Sequence, residues 1–440
     1  MNLEELVSPT VLIDSGSRFQ CVPDCGFCCG FWDVSIDKQR KDHLLQLDWV
    51  QAIDHDLKAR KNQPLFPILG QTDRSIIQRD QEICSFIDHQ KLCSIHAREG
   101  ADAKPLSCQQ YPYIYYRTPR GVEVLLDYSC PEVIKNLGEL VTVEEVVRKL
   151  PRQHVLAVPE SFPLSSRTNL SWEAYLHLES ALLRILQLDL APRDQILCVH
   201  QVAVELSRHL EAHRSSDGPI VEQALRGITS EKLHEMLADV RKVGVSVSKR
   251  DLYLAILIQL VEATYSRKLR ADGSASGSLL PRILKQWKGR GTEGFEVFKL
   301  RVDHTQLKTV TFDDSLPEFA DVIGRYLRYL VRSLLNTGHM PILKRLAIVS
   351  ANYALVDWLA RAHAGELGRT RAELGDLVFG IQFVEKFMSN RLFNELSSQR
   401  NFLAKVVHAI FDNPSLPSMM LTPRSRRDLV RPSSARSCPM

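Results

Sequence analysis

Four cysteines fall within nine residues, CVPDCGFCC at positions 21–29, near the start of a 440-residue chain. No other feature of the sequence restricts the local fold so strongly. A disulfide framework, a zinc site, an iron–sulfur cluster and a thiol redox centre all use thiols this close together. They differ in spacing, compartment and surroundings.

The compartment is read from the rest of the chain. The opening MNLEELVSPTVLIDSGS is acidic at once and has no apolar run of secretory length. The most apolar helical stretch, Ala181 to Leu190, is short and broken by Arg184 and Asp189, so no membrane span is expected. A cytoplasmic protein is the expectation. In a reducing cytosol, clustered thiols serve as metal ligands or redox groups rather than structural disulfides.

Eight of the ten cysteines precede residue 131: Cys21, Cys25, Cys28, Cys29, Cys84, Cys93, Cys108 and Cys130. These eight are the candidate metal ligands. Three and then two residues separate Cys21, Cys25 and Cys28, a spacing that lets successive thiolates turn onto one centre. Cys29 follows Cys28 directly, and adjacent side chains point apart. A vicinal pair therefore serves one ion poorly; it either bridges two neighbouring sites or leaves a thiol spare. The other four come at longer intervals, with eight, fourteen and twenty-one residues between them. Cys130-Pro131 echoes the ending of bacterial ferredoxin motifs, while the second half lacks the two-cysteine knuckle of a zinc site. Spacing alone leaves iron–sulfur and zinc open.

At 440 residues the chain is expected to form two or three domains, and its pattern predicts a mainly α protein. An irregular cysteine-rich metal-binding N-terminal domain (1–140) precedes a helical C-terminal region. That region divides into a helical domain (141–269), a Gly/Ser-rich linker or loop (270–281) and a second helical part (282–413). A disordered basic tail (414–440) follows. Within the first part, FWDVSID (31–37) alternates like a strand, residues 37–61 have helical spacing with Asp37 as N-cap, and GVEVLLDYSC reads as a strand ending on Cys130. Thr142 and Glu145 form a capping box, and residues 171–190 and 193–213 read as two helices with a short connection. Formal charge is +4, from 56 basic and 52 acidic residues, which gives no reason to expect nucleic acid.

The cysteine segments carry a resemblance. CVPDCGFCC, CSFIDHQKLC and KPLSCQQYP (Lys104 to Pro112) resemble the zinc- or iron-chelating cysteine-cluster (YkgJ-like) family. In that family a group ending in Cys-Cys precedes a Cys…Cys pair and an (Arg/Lys)-Pro-x-x-Cys-x-x-(Tyr/Phe)-Pro segment. CCGFWDVSID and DYSCPEV are more closely similar to flagellin lysine N-methylases within it, over about residues 19–134. That resemblance implies a [4Fe-4S] cluster, with zinc as the alternative. It also implies S-adenosylmethionine-dependent methylation of lysine on a protein substrate such as flagellin. The first cysteine group is more compressed here than in the methylases.

Other features have plainer readings. GRGTEG (Gly289, Gly291, Gly294) matches G-x-G-x-x-G, but a helical segment precedes it and a strand-like one follows, so a surface loop is expected. His89 and His96 read as solvated loop histidines, with a Cys3His zinc site as the alternative. The YPYIYY run (Tyr111, Tyr113, Tyr115, Tyr116) shields a cluster or packs a strand. Trp32 matches the family stretch, Cys198 reads as a small core residue and Cys438 as an incidental thiol. The tail arginines (Arg424, Arg426, Arg427, Arg431, Arg436) read as solvated. The leading functional expectation is an iron–sulfur lysine methylase with no base or donor residue assigned. A non-catalytic protein stapled by its metal, with a helical partner-docking region, is the alternative, and a thiol redox sensor is third.

Overall fold

The computed structural model describes residues 10–22, 25–30, 34–47, 75–77, 79–80, 83–88, 90–150, 154–213, 218–227, 229, 231–233, 235, 237–238, 247–269, 279–335, 340–387, 411 and 421. Trp32, His89, Cys438, the tail arginines, residues 48–61 of the first helical segment and residues 270–278 of the expected linker lie outside them. The chain divides into two units, residues 1–158 and 159–440. All eight N-terminal cysteines belong to the first. The protein is mainly α-helical, with its largest sheet in that first unit.

That sheet has four strands in the order β1 (Val11–Ile13), β7 (Gly121–Leu126), β6 (Tyr113–Thr118), β8 (Val155–Ala157). β6 and β7 are an antiparallel hairpin, and β1 and β8 add to it in parallel on either side. β7 is interior and reads Gly-Val-Glu-Val-Leu-Leu; from Val122 onward every residue is buried, as a strand covered on both faces requires. Its one charge, Glu123, is paired at 2.7 Å with Arg120 in the adjoining turn. Gly121 is needed at the start of the strand. Its φ is +134°, and a Cβ there would lie 2.1 Å from the Thr10 carbonyl oxygen.

The strand expected to end on Cys130 stops at Leu126. The Asp127 carboxylate accepts the Ser129 N–H at 2.8 Å and turns the chain, and Cys130 becomes the N-cap of helix α4 (Pro131–Lys135). Two two-stranded ladders lie outside the main sheet: β2 (Ser35–Ile36) with β3 (Ser75–Ile76), and β4 (Arg79–Asp80) with β5 (Ile83–Cys84). Helix α1 (Lys38–Leu45) starts at Asp37, whose carboxylate accepts the Arg40 N–H at 2.9 Å. Helices α2 (Ser94–Glu99) and α3 (Leu106–Gln110) follow β5, and α5 (Val143–Lys149) is capped by Thr142. The Glu145 side chain turns to Lys149 rather than back to the cap, so only half of the capping box forms.

The second unit is helical. Its helices are α6 (Trp172–Ile185), α7 (Pro192–His213), α8 (Gly218–Arg226), α9 (Val247–Leu269), α10 (Leu279–Lys288), α11 (His304–Leu307), α12 (Pro317–Arg332), α13 (Ile342–Glu366) and α14 (Leu374–Phe387). Helix α13 is buried around most of its circumference, the pattern of a core helix rather than a surface one. Helix α14 crosses it at Gly380, where an added Cβ would stand 2.9 Å from the Val356 carbonyl oxygen, so only glycine permits that approach. Ahead of α6, β9 (Phe162–Pro163) pairs antiparallel with β10 (Asn169–Leu170). The GRGTEG glycines lie where α10 passes into the hairpin of β11 (Thr292–Phe295) and β12 (Leu300–Asp303). Helix precedes strand there, the reverse of a dinucleotide-binding turn. Cys198 is buried in α7.

Glu262 on α9 is 1% exposed and holds the start of the β-turn after β11, accepting the Glu296 N–H at 2.7 Å and the Val297 N–H at 3.1 Å. Burial outweighs these donors and raises its carboxyl from 4.5 to about 7. The folded chain thus keeps a proton that the unfolded chain gives up. Its contribution is fully present below about pH 4.5 and is lost as pH climbs to about 7. Glu262→Gln is expected to remove about 3 kcal/mol of this pH dependence, checked by urea unfolding at pH 5 and pH 8. Equal pH dependence in variant and parent would contradict it.

Candidate metal centre

Each cysteine is delivered by a local device. Cys28 and Cys29 lie in a 3-10 turn (Phe27–Gly30), closed by the Cys29 N–H to the Gly26 carbonyl at 3.1 Å. Gly26 has φ +52°, and a Cβ there would approach the Lys91 Cβ at 3.1 Å. The first cysteine loop therefore abuts the loop that joins Cys84 to Cys93. That second loop is folded on Asp88, whose carboxylate accepts the N–H groups of Gln90 and Leu92 at 2.9 and 2.8 Å. An antiparallel bridge between Ile87 and Cys93 completes it.

Cys93 and Cys130 occupy equivalent places, each the residue before a short helix. Cys108 lies in α3, one turn after Lys104-Pro105. Cys29, Cys93 and Cys108 pack against one apolar cluster that includes Cys84, with Val34, Ile36, Leu44, Ile77, Phe86 and Ile95. The Cys28 and Cys29 sulfurs are 3.9 Å apart.

Burial raises the Cys21 and Cys25 thiols, and the negative charge of Cys28 adds to both. Burial also pushes Cys108 and Cys130 up to about 12. In the vicinal pair, hydrogen bonding from Cys29 brings Cys28 down to about 7, and the same contact drives Cys29 upward. Lys104 is the cation that favours the thiolates of Cys21, Cys28 and Cys108. The Tyr111 hydroxyl favours that of Cys130 while standing 3.1 Å from Ser129 Oγ.

No disulfide joins any of the nine described cysteines. Among the described residues, no three His, Cys, Asp or Glu side chains are drawn closely enough together to hold a metal ion as they stand. The donor chemistry nonetheless fits one class of metal. Besides the cations Lys104 and Lys135, the Tyr111 hydroxyl and backbone N–H groups, the side chains acting on these thiols are other thiols and one carboxylate, Glu132, near Cys21 and Cys25. A cysteine-only set suits zinc or an iron–sulfur cluster and does not suit magnesium or calcium.

Comparison with known protein families, curated proteins and solved structures finds no match to this chain.

The tyrosine run splits in role. Tyr113 and Tyr115 stack on one another along β6, with centroids 6.2 Å apart, and Tyr116 is buried in the same strand. Tyr111 reaches a candidate ligand, Cys130. His96 is exposed on α2. Sequence reasoning did not single out Lys104 or Tyr111 as partners of particular thiols. The signal was present in the segment running from Lys104 to Pro112, but which thiols they serve depends on the fold. No helix among the described residues is long and apolar enough to cross a membrane.

Proposed function

We propose that this chain is a cysteine-cluster metalloprotein whose N-terminal thiols hold a [4Fe-4S] cluster or zinc, and that it methylates protein lysine in the manner of flagellin lysine N-methylases. The observation that carries the reading is a set of eight thiols in one unit, in segments that resemble those methylases in sequence. An iron–sulfur cluster, when bound, would position or activate S-adenosylmethionine. The chain's own contribution is to hold that centre through Cys21, Cys25, Cys28, Cys29, Cys84, Cys93, Cys108 and Cys130. Lys104 favours three of these thiolates, and Tyr111 donates toward a fourth. The lysine ε-amine must meet the methyl sulfonium unprotonated, which calls for a desolvating site or a base.

The test is anaerobic purification with iron, zinc and sulfide quantified together, followed by incubation with S-adenosylmethionine and flagellin. Iron and sulfide in near-equal amounts, with methyl-lysine detected by mass spectrometry, are expected. A colourless zinc protein that neither retains S-adenosylmethionine nor methylates lysine would leave the structural staple. The short two-residue strands around the cysteines favour that second reading, because metal bonds often substitute for a core in such segments.

A further inference from the structure

We propose that the eight cysteines form two four-thiolate metal centres. One is held by Cys29, Cys84, Cys93 and Cys108, the other by Cys21, Cys25, Cys28 and Cys130, and the vicinal pair divides between them. This rests on the metalloprotein reading above and goes beyond the single cluster that the resemblance implies.

Packing separates the two sets. Cys29, Cys84, Cys93 and Cys108 share the apolar cluster of Phe86, Ile95, Ile36 and their neighbours, and none of the other four thiols belongs to it. The connections agree. β5, which carries Cys84, packs against the 3-10 turn that carries Cys28 and Cys29, and of that vicinal pair it is Cys29 that lies on the cluster shared with Cys84 and Cys93. Within the second set, Cys21 and Cys25 lie on the loop that leads into Cys28, and Cys130 is the remote fourth member.

Backbone contacts bring the remote member of the second set toward its partners: the Phe19 N–H donates to the Glu139 carbonyl at 3.0 Å and the Arg18 N–H to Asn136 Oδ1 at 2.7 Å, so the segment entering Cys21 lies against the end of the helix that Cys130 caps. The two sets meet at the vicinal pair, whose sulfurs are 3.9 Å apart. Consecutive residues of a 3-10 turn are rotated by a third of a turn, so Cys28 and Cys29 face different directions. A four-thiolate set satisfies zinc or an iron–sulfur cluster equally, and the metal analysis distinguishes the two.

The test compares metal content per chain in full-length protein purified anaerobically, for the parent, Cys84→Ser, Cys130→Ser and the double variant. Each single variant is expected to lose about half of the metal and the double variant nearly all. Cys198→Ser, in the other unit, should retain it all. Loss of all metal in either single variant, or unchanged metal in Cys130→Ser, would overturn the partition while leaving the metalloprotein reading intact. A metal-free parent would overturn both. Should the variants fail to fold, cobalt(II) titration of the demetallated parent gives the same answer. Thiolate-to-cobalt absorbance should saturate at about two equivalents, and saturation at about one would overturn the proposal.

Discussion

Stripping bound metal by chelation, with an oxidant where the metal is iron, is expected to unfold the cysteine-bearing part of the first unit and leave the helical unit folded. Hydrogen exchange should become fast in Ile83–Cys84 and Ser94–Glu99 and stay slow in Ile342–Glu366. The physical reason is the size of the local core. Among the described residues, seven buried side chains, Cys84 among them, form the apolar cluster beneath the cysteines, and its strands are two residues long. Metal–thiolate bonds are worth on the order of 10 kcal/mol in small zinc domains, enough to decide whether such a segment folds. Helix α13, by contrast, is buried by neighbouring helices along most of its length. Unchanged exchange in Ser94–Glu99 after metal removal would show that the apolar cluster suffices alone.

Asp357→Asn is expected to cost about 3–5 kcal/mol, the scale of breaking one partner out of a buried charge network. Asp357 accepts from Arg361 Nε at 2.6 Å, and the Arg361 side chain is only 4% exposed. Burial alone would raise the Asp357 carboxyl. Arg361, Arg193 and Arg250 together override it and hold the group at about 2. The contribution is therefore present above the ordinary aspartate value of 3.8 and is lost as pH falls through about 2. Neither Arg361 Nη1 nor Nη2 has a hydrogen-bonding partner among the described residues, so the Nε bond to Asp357 is the main compensation for burying that guanidinium. Arg193 has a second carboxylate in Asp314, which also accepts from the buried Tyr353 hydroxyl, and Arg250 has Asp251 at 3.4 Å. Replacing both members of the closest pair, Asp357→Leu with Arg361→Met, should recover much of the loss, since an apolar pair leaves no uncompensated charge. Urea unfolding of the full chain measures both. A loss below about 1 kcal/mol for Asp357→Asn would show that solvent, not the arginines, stabilises the carboxylate.

Local rules of the chain were legible without coordinates. Asp37 and Thr142 each cap the helix that follows, because an N-cap is decided by a side chain and a backbone N–H three residues on. The helices around residues 172–185 and 192–213 follow from periodicity, and the eight cysteines from composition and position. What could not be read is what depends on residues far apart in the chain. Strand β1 is three residues long and becomes a strand only by pairing in parallel with β7, more than a hundred residues later. GVEVLLDYSC looks continuous, yet the Asp127 turn ends the strand and hands Cys130 to a helix start. The charge network joins Arg193, Arg250 and Asp357 from three helices, and no one of those helices shows which charges of the others it will meet. The cysteines follow the same division. The sequence by itself determined that eight thiols gather in the first 130 residues. Only the tertiary structure decided which of them share a neighbourhood, because that depends on Gly26 meeting Lys91 and on one apolar cluster collecting four of the eight.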